Sequence, residues 1–201
     1  MNAPPSAPDT RPRRRAAKSW IVRRVCRGHN TPMSSRRSPS FHRVVPRGDD
    51  RLRRVCGDCG FIDYENPKVV VGTLVHYGDR ILLCRRAIPP REGFLVHPAG
   101  HLERGETAEE GAVRECWEEA RALIHIESLI GVHSSPEEGV VEIIYAARLL
   151  GCRFSPGPES HAVALYPRDA IPRHELAFPT TAWALERAFP RAALRKRTAT
   201  A

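Results

Sequence analysis

The distribution of apolar residues predicts a mixed sheet with helices from residue 68 onward. The segment KVVVGTLVHY at 68–77 is apolar at consecutive positions, so it predicts a strand buried on both faces. Gly78 and Asp79 predict a turn into a second strand, RILLCRR. Three further strand-like segments follow, at 123–132, from Val140 (VVEIIYAARLL) and from Ala162 (AVALY).

Two segments predict helices between and after these strands. Good helix formers run from Thr107, which is placed to cap, to residue 119 or 120. A small apolar stripe at four-residue spacing would pack this helix on a sheet, and it comprises Ala108, Ala112, Cys116 and Ala120. A last helix is predicted at about 180–189. Strands alternating with helices indicate a mixed sheet flanked by helices.

Three glutamates lie on one face of the helix that begins at Thr107. Glu115, Glu118 and Glu119 are three and four residues apart, so their like charges repel unless a cation lies between them. Mg²⁺ prefers carboxylate oxygens and bridges to substrate phosphates, which indicates a diphosphate site and hydrolysis of a phosphoanhydride. The alternative is a solvated acidic helix. The separate apolar stripe argues against it.

The run GHLERGETAEEGAVRECWEEARA at 100–122 resembles the Nudix box, G-x5-E-x7-R-E-U-x-E-E-x-G-U, where U is a bulky apolar residue. The residues in register are Gly100, Glu106, Arg114, Glu115, Glu118 and Glu119. The resemblance implies a Nudix-type α/β/α sandwich with a mixed sheet. It also implies Mg²⁺ or Mn²⁺ as cofactor, and hydrolysis of a nucleoside diphosphate linked to another group.

The same resemblance implies a role for each residue of the box. Glu115 would hold metal or deprotonate the attacking water, and Arg114 would position the carboxylates. Glu106 would contact the metal-binding residues and not the metal itself, or would act through a water. Two departures from the box are Arg121 in place of its last glycine and Ala122 in place of its closing apolar residue. The implied metal ligands are Gly100, Glu115, Glu118 and Glu119.

Residues outside the box are candidates for the same chemistry. Glu142 or Glu159 would serve as a base, as carboxylates outside the box do in some relatives. Where relatives carry a further glutamate this chain has Ala162. Arginines that end a strand usually face solvent, but three of them are candidates to meet substrate phosphates, namely Arg85, Arg86 and Arg91. His97 and His101 stand where relatives carry apolar or aromatic residues, and each either lines the mouth of the site or is solvated.

The resemblance extends over most of residues 52–189. The segments YENPKVVVGTLV, RILLCRRAIPPREGF and FSPGPES look like a subgroup that joins a zinc ribbon to a Nudix domain. That subgroup implies cleavage of FAD or ADP-ribose with release of AMP. The downstream SQPWPFPxS signature of NADH pyrophosphatases is absent. A second hypothesis is a non-catalytic Nudix-fold nucleotide sensor or a nucleic-acid-binding regulator.

The cysteines indicate one zinc knuckle. Cys56 and Cys59 have knuckle spacing, and a structural zinc site needs four ligands. Cys26 and His29 have plausible spacing for the second half, and His42 is a further candidate, so the ribbon is either zinc-bound or decayed. The scattered positions of the other cysteines favour reduced thiols in a cytoplasmic protein.

Charge is concentrated near the N-terminus. Residues 1–55 carry 15 Lys+Arg and 3 Asp+Glu, a net of +12, whereas residues 56–201 carry 17 and 20, a net of −3. We therefore expect a disordered basic leader at 1–45, a partial zinc-ribbon segment at 46–66, a Nudix domain at 67–190 and a basic tail at 191–201. The leader is more typical of a solvated tail than of a nucleic-acid-binding segment. We expect no membrane segment and a small-molecule dinucleotide substrate. The residues do not indicate an oligomeric state, and the resemblance makes a homodimer a candidate because dimers are common among such relatives.

Overall fold

The computed structural model describes residues 40–189 of the 201-residue chain. Two compact units divide at Asn66 and Pro67. The predicted leader up to residue 39, with Cys26 and His29, lies outside the described residues, as does the basic tail at 191–201. Among the helices of residues 40–189, none is both long and apolar enough to cross a membrane.

Within residues 40–66, the smaller unit contains a three-stranded antiparallel sheet in the order β1-β2-β3. Its strands are β1 (Phe41–Val44), β2 (Arg53–Cys56) and β3 (Ile62–Asp63). The Arg54 guanidinium lies 5.0 Å from the Phe41 ring and within 3.6 Å of Asp63, so one side chain links the outer strands. β1 falls inside the range that the sequence assigned to the leader. A strand forms there because pairing with β2 overrides a local sequence with few large apolar residues.

The larger unit contains a seven-stranded mixed sheet with the main order β10-β5-β4-β9-β8. β4 and β9 are parallel, and the other pairs are antiparallel. The strands are β4 (Lys68–Tyr77), β5 (Arg80–Arg86), β6 (Leu95–Val96), β7 (Ala99–His101), β8 (Ile124–Ser135), β9 (Val140–Leu149) and β10 (Ser160–Pro167). The predicted strands are confirmed, and the short strands β6 and β7 are additional.

The central strand β4 is buried on both faces, as its sequence predicts, and each face carries a helix. Side chains alternate along a strand. Val71 packs with Ala112 of α1 (Ala108–Ala120). Leu74 packs with Leu185 of α2 (Pro179–Ala188). The two helices therefore cover opposite faces, which is the α/β/α sandwich expected from the sequence.

Local chemistry fixes the start of α1. The Thr107 hydroxyl accepts from the Glu110 N–H at 3.2 Å, and the Glu110 carboxylate accepts from the Thr107 N–H at 2.8 Å. This reciprocal pair is a capping box, and it satisfies two N–H groups that a helix start leaves unpaired. The helix therefore begins where the sequence predicts, which sets the rotation of its glutamates.

The end of α1 forms without the glycine of the box. Arg121 takes the left-handed conformation, with φ 49° and ψ 28°, and its N–H donates to the Trp117 carbonyl at 2.9 Å. The Arg121 guanidinium lies 5.7 Å from the Trp117 ring centre and donates to the same carbonyl. The helix thus ends at Ala120, and Glu119 keeps its position in the last turn.

Replacing Arg121 with glycine is expected to stabilise the protein slightly. A left-handed non-glycine residue costs about 1 kcal/mol, and loss of the Arg121 contacts with Trp117 offsets part of that gain. We expect a rise in melting temperature of about 1–3 °C by differential scanning calorimetry. An unchanged or lower value would mean that the Trp117 contacts compensate fully.

Candidate active site

The short strand β7 brings the loop that follows β6 against α1. The Ala99 N–H donates to Glu119 Oε2 at 3.3 Å, and the His101 carbonyl accepts from Arg114 Nη2 at 3.0 Å. Between them, a Cβ added to Gly100 would overlap the Glu115 carboxylate. Each residue of β7 therefore contacts a different polar residue of the helix, and only glycine fits at the central position.

Arg114 contacts three glutamates, two on α1 and one in the loop before it. Its Nε and Nη2 donate to the two oxygens of Glu106 at 3.0 and 2.7 Å. Its Nη1 donates to Glu115 at 2.7 Å and to Glu118 at 3.3 Å. A planar guanidinium with five donors is suited to this task, whereas an ammonium could not make the fork. One arginine thus holds three carboxylates together.

The glutamates of the box differ in pKa, because Arg114 acts most strongly on one of them and burial on two others. The hydrogen bonds from Arg114 lower the pKa of Glu106. Burial raises the pKa of Glu115, and burial followed by the charge of Glu115 raises the pKa of Glu119 to about 8. The Glu118 side chain remains 56% exposed. Burial is therefore the main reason why the pKa values of Glu115 and Glu119 are raised, and one guanidinium faces the three carboxylates of Glu106, Glu115 and Glu118.

The donor set fits a hard divalent cation. Within residues 40–189, no three His, Cys, Asp or Glu side chains already converge as metal ligands. Instead, Glu115 and Glu118 share one nitrogen of Arg114, and Glu119 binds the Ala99 N–H. Oxygen donors with excess negative charge are the ligands that Mg²⁺ and Mn²⁺ prefer.

A segment after β9 docks on the end of α1. The Ser155 and Gly157 N–H groups donate at 2.9 Å to the carbonyls of Ala120 and Glu119, which a helix end leaves unpaired. A Cβ at Gly157 would overlap the Glu118 carbonyl. The same segment carries Glu159, whose charge contributes to the raised pKa of Glu115 and Glu119. The sequence did not predict this docking, although a glycine between two prolines marks a close approach.

The three candidate arginines have protein partners. Arg85 donates to the Gly93 carbonyl at 2.6 Å and to Glu175 at 2.9 Å. Arg86 donates to the Pro90 carbonyl at 2.9 Å, and its charge also acts on Glu119. Arg91, with φ 61°, lies over the Phe94 ring. Arg86 is thus the candidate most closely associated with the carboxylates.

Glu142 does not contact the box glutamates. Its Oε1 lies 3.0 Å from His97 Nε2, and its carboxylate also interacts with Thr180 of α2. His97 is fully buried, so the expectation that it is solvated or lines the mouth of the site is wrong. A histidine flanked by a buried strand and a proline could have signalled this. His101 is exposed, as expected for a solvated residue.

The cysteine pair lies at the turn after β2. The Gly60 N–H donates to the Cys56 carbonyl at 2.9 Å, which closes the turn, and Cys56 is buried whereas Cys59 is exposed. A Cβ at Gly57 would lie 3.5 Å from His42 Nδ1, so His42 is near this turn. The geometry of residues 40–66 is compatible with a knuckle, and zinc binding stays a prediction.

Comparison with known proteins agrees with this geometry. Residues 66–188 match the family model described as NUDIX domain, and residues 39–65 match the one described as Nudix N-terminal, which is a zinc ribbon. The second match begins before residue 46, in agreement with the position of β1.

Three relatives illustrate the similarity. An ADP-ribose pyrophosphatase from Methanocaldococcus jannaschii is 32% identical over 119 residues, 57% of this chain and 69% of the relative. A MutT-like protein from Streptomyces ambofaciens is 32% identical over 102 residues, 51% of this chain and 64% of that protein. The crystal structure of a NUDIX hydrolase from Nitrosomonas europaea superposes with a TM-score of 0.73 at 36% identity, covering 83% of this chain and 92% of that one. With the box residues brought together from β7, α1 and the loop between them, these matches show that the chain belongs to the Nudix hydrolase family.

Proposed function

We propose that this chain hydrolyses the pyrophosphate bond of ADP-ribose or FAD with release of AMP. The observation that carries the proposal is the Arg114-centred cluster, in which the charged residues of the box meet β7. The relative from Methanocaldococcus jannaschii, an ADP-ribose pyrophosphatase, favours ADP-ribose. FAD is proposed because the sequence resembles the subgroup that joins a zinc ribbon to a Nudix domain. Loops choose the leaving group within one fold, so substrate choice is the part that needs testing.

The carboxylates of α1 divide the work. Glu118 and Glu119, with the Gly100 carbonyl, would hold Mg²⁺ or Mn²⁺. When bound, the ion supplies neutralisation of the diphosphate and of the charge on the leaving oxygen. Glu115 would orient the attacking water and accept its proton. Burial raises the pKa of Glu115, which strengthens it as a base. One P–O bond forms to water and the phosphoanhydride P–O bond breaks.

Two residues support this chemistry from outside the reacting atoms. Arg114 would fix the direction of Glu115, while Glu106, which accepts from Nε and Nη2 along one edge of the guanidinium, would fix Arg114. Glu159 is the second candidate for the base, because its charge acts on Glu115 and Glu119. Arg86 is the favoured contact for a substrate phosphate.

A non-catalytic nucleotide sensor is the alternative, and the features that favour it are Arg121, the incomplete ribbon and the basic leader. The left-handed conformation of Arg121 preserves the helix end, and the docking of Gly157 on the Glu119 carbonyl supports the same geometry. Both observations favour catalysis. A nucleic-acid-binding role would rest on the leader, outside the described residues. Zinc in the ribbon, a homodimer and cytoplasmic localisation also stay predictions.

Product analysis tests the substrate. The full chain is incubated with Mg²⁺ and, separately, with ADP-ribose, FAD and NADH, and products are separated by ion-exchange chromatography. We expect AMP and ribose 5-phosphate from ADP-ribose or AMP and FMN from FAD, and less AMP from NADH. Absence of AMP from all three, with Mn²⁺ also tried, would reject the proposed substrates.

A further inference from the structure

A buried polar cluster lies on the α2 face of the sheet, away from the catalytic helix. His97 Nδ1 is 2.9 Å from Thr181 Oγ1, and His97 Nε2 is 3.0 Å from Glu142 Oε1. His97 and Thr181 are 0% exposed and Glu142 is 7% exposed. Burial of such groups is costly unless they are hydrogen-bonded. The mechanism above uses none of the three.

The hydrogen bonds of the cluster have defined directions. A carboxylate only accepts, so His97 Nε2 carries a proton and donates to Glu142. Burial favours the neutral form of Glu142, but the hydrogen bond and charge of His97, with the Thr180 hydroxyl, lower its pKa below the ordinary value. Glu142 is therefore ionised and holds the imidazole ring in one orientation.

The backbone packs closely around His97. A Cβ added to Gly72 of β4 would lie 2.9 Å from His97 Nε2 and 2.8 Å from the Ala99 Cβ. The Thr73 N–H donates to the Pro98 carbonyl at 2.9 Å. The ring therefore lies against β4, and His97 begins the segment that leads directly into β7.

β7 is the segment that meets the box helix. It has three residues, so its pairing with β4 is short. Its Ala99 N–H binds Glu119, and its Gly100 backbone lies against the Glu115 carboxylate. A short strand needs anchors beyond its own ladder, and the His97 cluster lies two residues before Ala99 in sequence.

We propose that Glu142 and Thr181 are positioning residues, which act through His97 to hold β7 so that the Gly100 carbonyl and Glu119 are arranged to bind a divalent cation beside Glu115. The proposal rests on the proposed function in so far as that cation serves hydrolysis. It assigns Glu142 a role that differs from both the base and the substrate contact. Partners outside the ligand shell often govern metal affinity, and their loss costs about 10–100-fold.

The test is direct binding of Mn²⁺ to the full chain, measured by electron paramagnetic resonance without nucleotide. Glu142→Leu removes the acceptor and is expected to raise the Mn²⁺ dissociation constant about 10–100-fold. Glu142→Gln retains an acceptor oxygen for His97 Nε2 and is expected to restore affinity to within about threefold of wild type. Thr181→Val, which is isosteric, is expected to weaken binding by a smaller factor.

Ile144→Val is the matched control. Ile144 is fully buried two residues along β9 from Glu142, so it faces the same side. Its truncation to valine costs about 0.5–1.5 kcal/mol and removes neither hydrogen bond of His97, which are made with Glu142 and Thr181. We expect its Mn²⁺ dissociation constant to stay within about twofold of wild type. If the cluster were merely structural, Ile144→Val and Glu142→Leu would change the Mn²⁺ dissociation constant by similar factors.

Three results would overturn the positioning role. One is unchanged Mn²⁺ affinity in folded Glu142→Leu or, if that variant does not fold, in Thr181→Val. Another is a loss of Mn²⁺ affinity in Ile144→Val that equals the loss in Glu142→Leu. The third is wild type that binds no Mn²⁺. Wild type that binds Mn²⁺ but hydrolyses no dinucleotide would reject the proposed function alone, because the positioning role is read from the dissociation constants.

Discussion

Glu119→Gln is expected to stabilise the metal-free protein at pH 8 while removing much of its affinity for Mg²⁺. Glu119 is 7% exposed, and burial, then the charge of Glu115, raises its pKa to about 8. In the unfolded chain the carboxyl ionises near its ordinary 4.5. Between these values the unfolded state binds fewer protons, so stability falls as pH rises. Glutamine has no charge to bury.

The measurement is the melting temperature in EDTA at pH 5 and pH 8. Wild type should lose several degrees between the two, corresponding to a destabilisation on the order of a few kcal/mol, and Glu119→Gln should lose less. Saturating Mg²⁺ at pH 8 should raise the wild-type value and leave the variant nearly unchanged. Glu137→Gln, in the exposed turn between β8 and β9, is the charge-matched control. Equal pH dependence in wild type and Glu119→Gln would contradict this account.

Arg114→Ala is expected to lower the free energy of unfolding by about 2–4 kcal/mol and to remove most activity. The side chain is 17% exposed and binds Glu106, Glu115 and Glu118 at once. Its loss leaves partly buried carboxylates without a positive partner. The free-energy cost of leaving such a charge unpaired is larger than the net stabilisation that the ion pairs provide. Arg114→Lys should have a free energy of unfolding and an activity between those of wild type and Arg114→Ala, because lysine keeps the positive charge and loses the forked donor geometry.

Urea unfolding at neutral pH measures the effect. The control is Arg173→Ala, which removes an ion pair with Glu186 at 3.1 Å whose side chains are 39% and 63% exposed. Such a surface pair is worth about 0–1 kcal/mol. A loss in Arg114→Ala no larger than in Arg173→Ala would mean that the guanidinium does not organise the carboxylates.

The sequence predicted those features of the fold and site that depend on residues close together in the chain. The consecutive apolar residues of β4 reflect its central place in the sheet, and Thr107 fixes the start of α1 through its own capping box. The helical spacing of Glu115 and Glu118 placed both beside Arg114, because residues one and four positions along a regular helix lie within reach of its side chain, while Glu119 lies against β7. The fold class and the box cluster followed from such regularities.

The remaining features depend on contacts between distant segments. β1 forms because it pairs with β2, and β7 forms because Ala99 and Gly100 meet both β4 and α1. His97 and Glu142 are 45 residues apart, and nothing in either local sequence requires the other. Their partnership became visible only when the sheet brought β9 next to β4.

The most direct test of the catalytic site compares wild type with Glu118→Gln in Mg²⁺-dependent release of AMP from ADP-ribose and FAD. Glu118 is the most exposed carboxylate of the Arg114 cluster, so its replacement should leave the melting temperature within about 2 °C while lowering the rate at least about a hundredfold. Turnover that requires Mg²⁺ and is lost in the folded variant is the predicted result. Equal turnover in both proteins, or turnover that persists in EDTA, would contradict a metal-dependent site on α1.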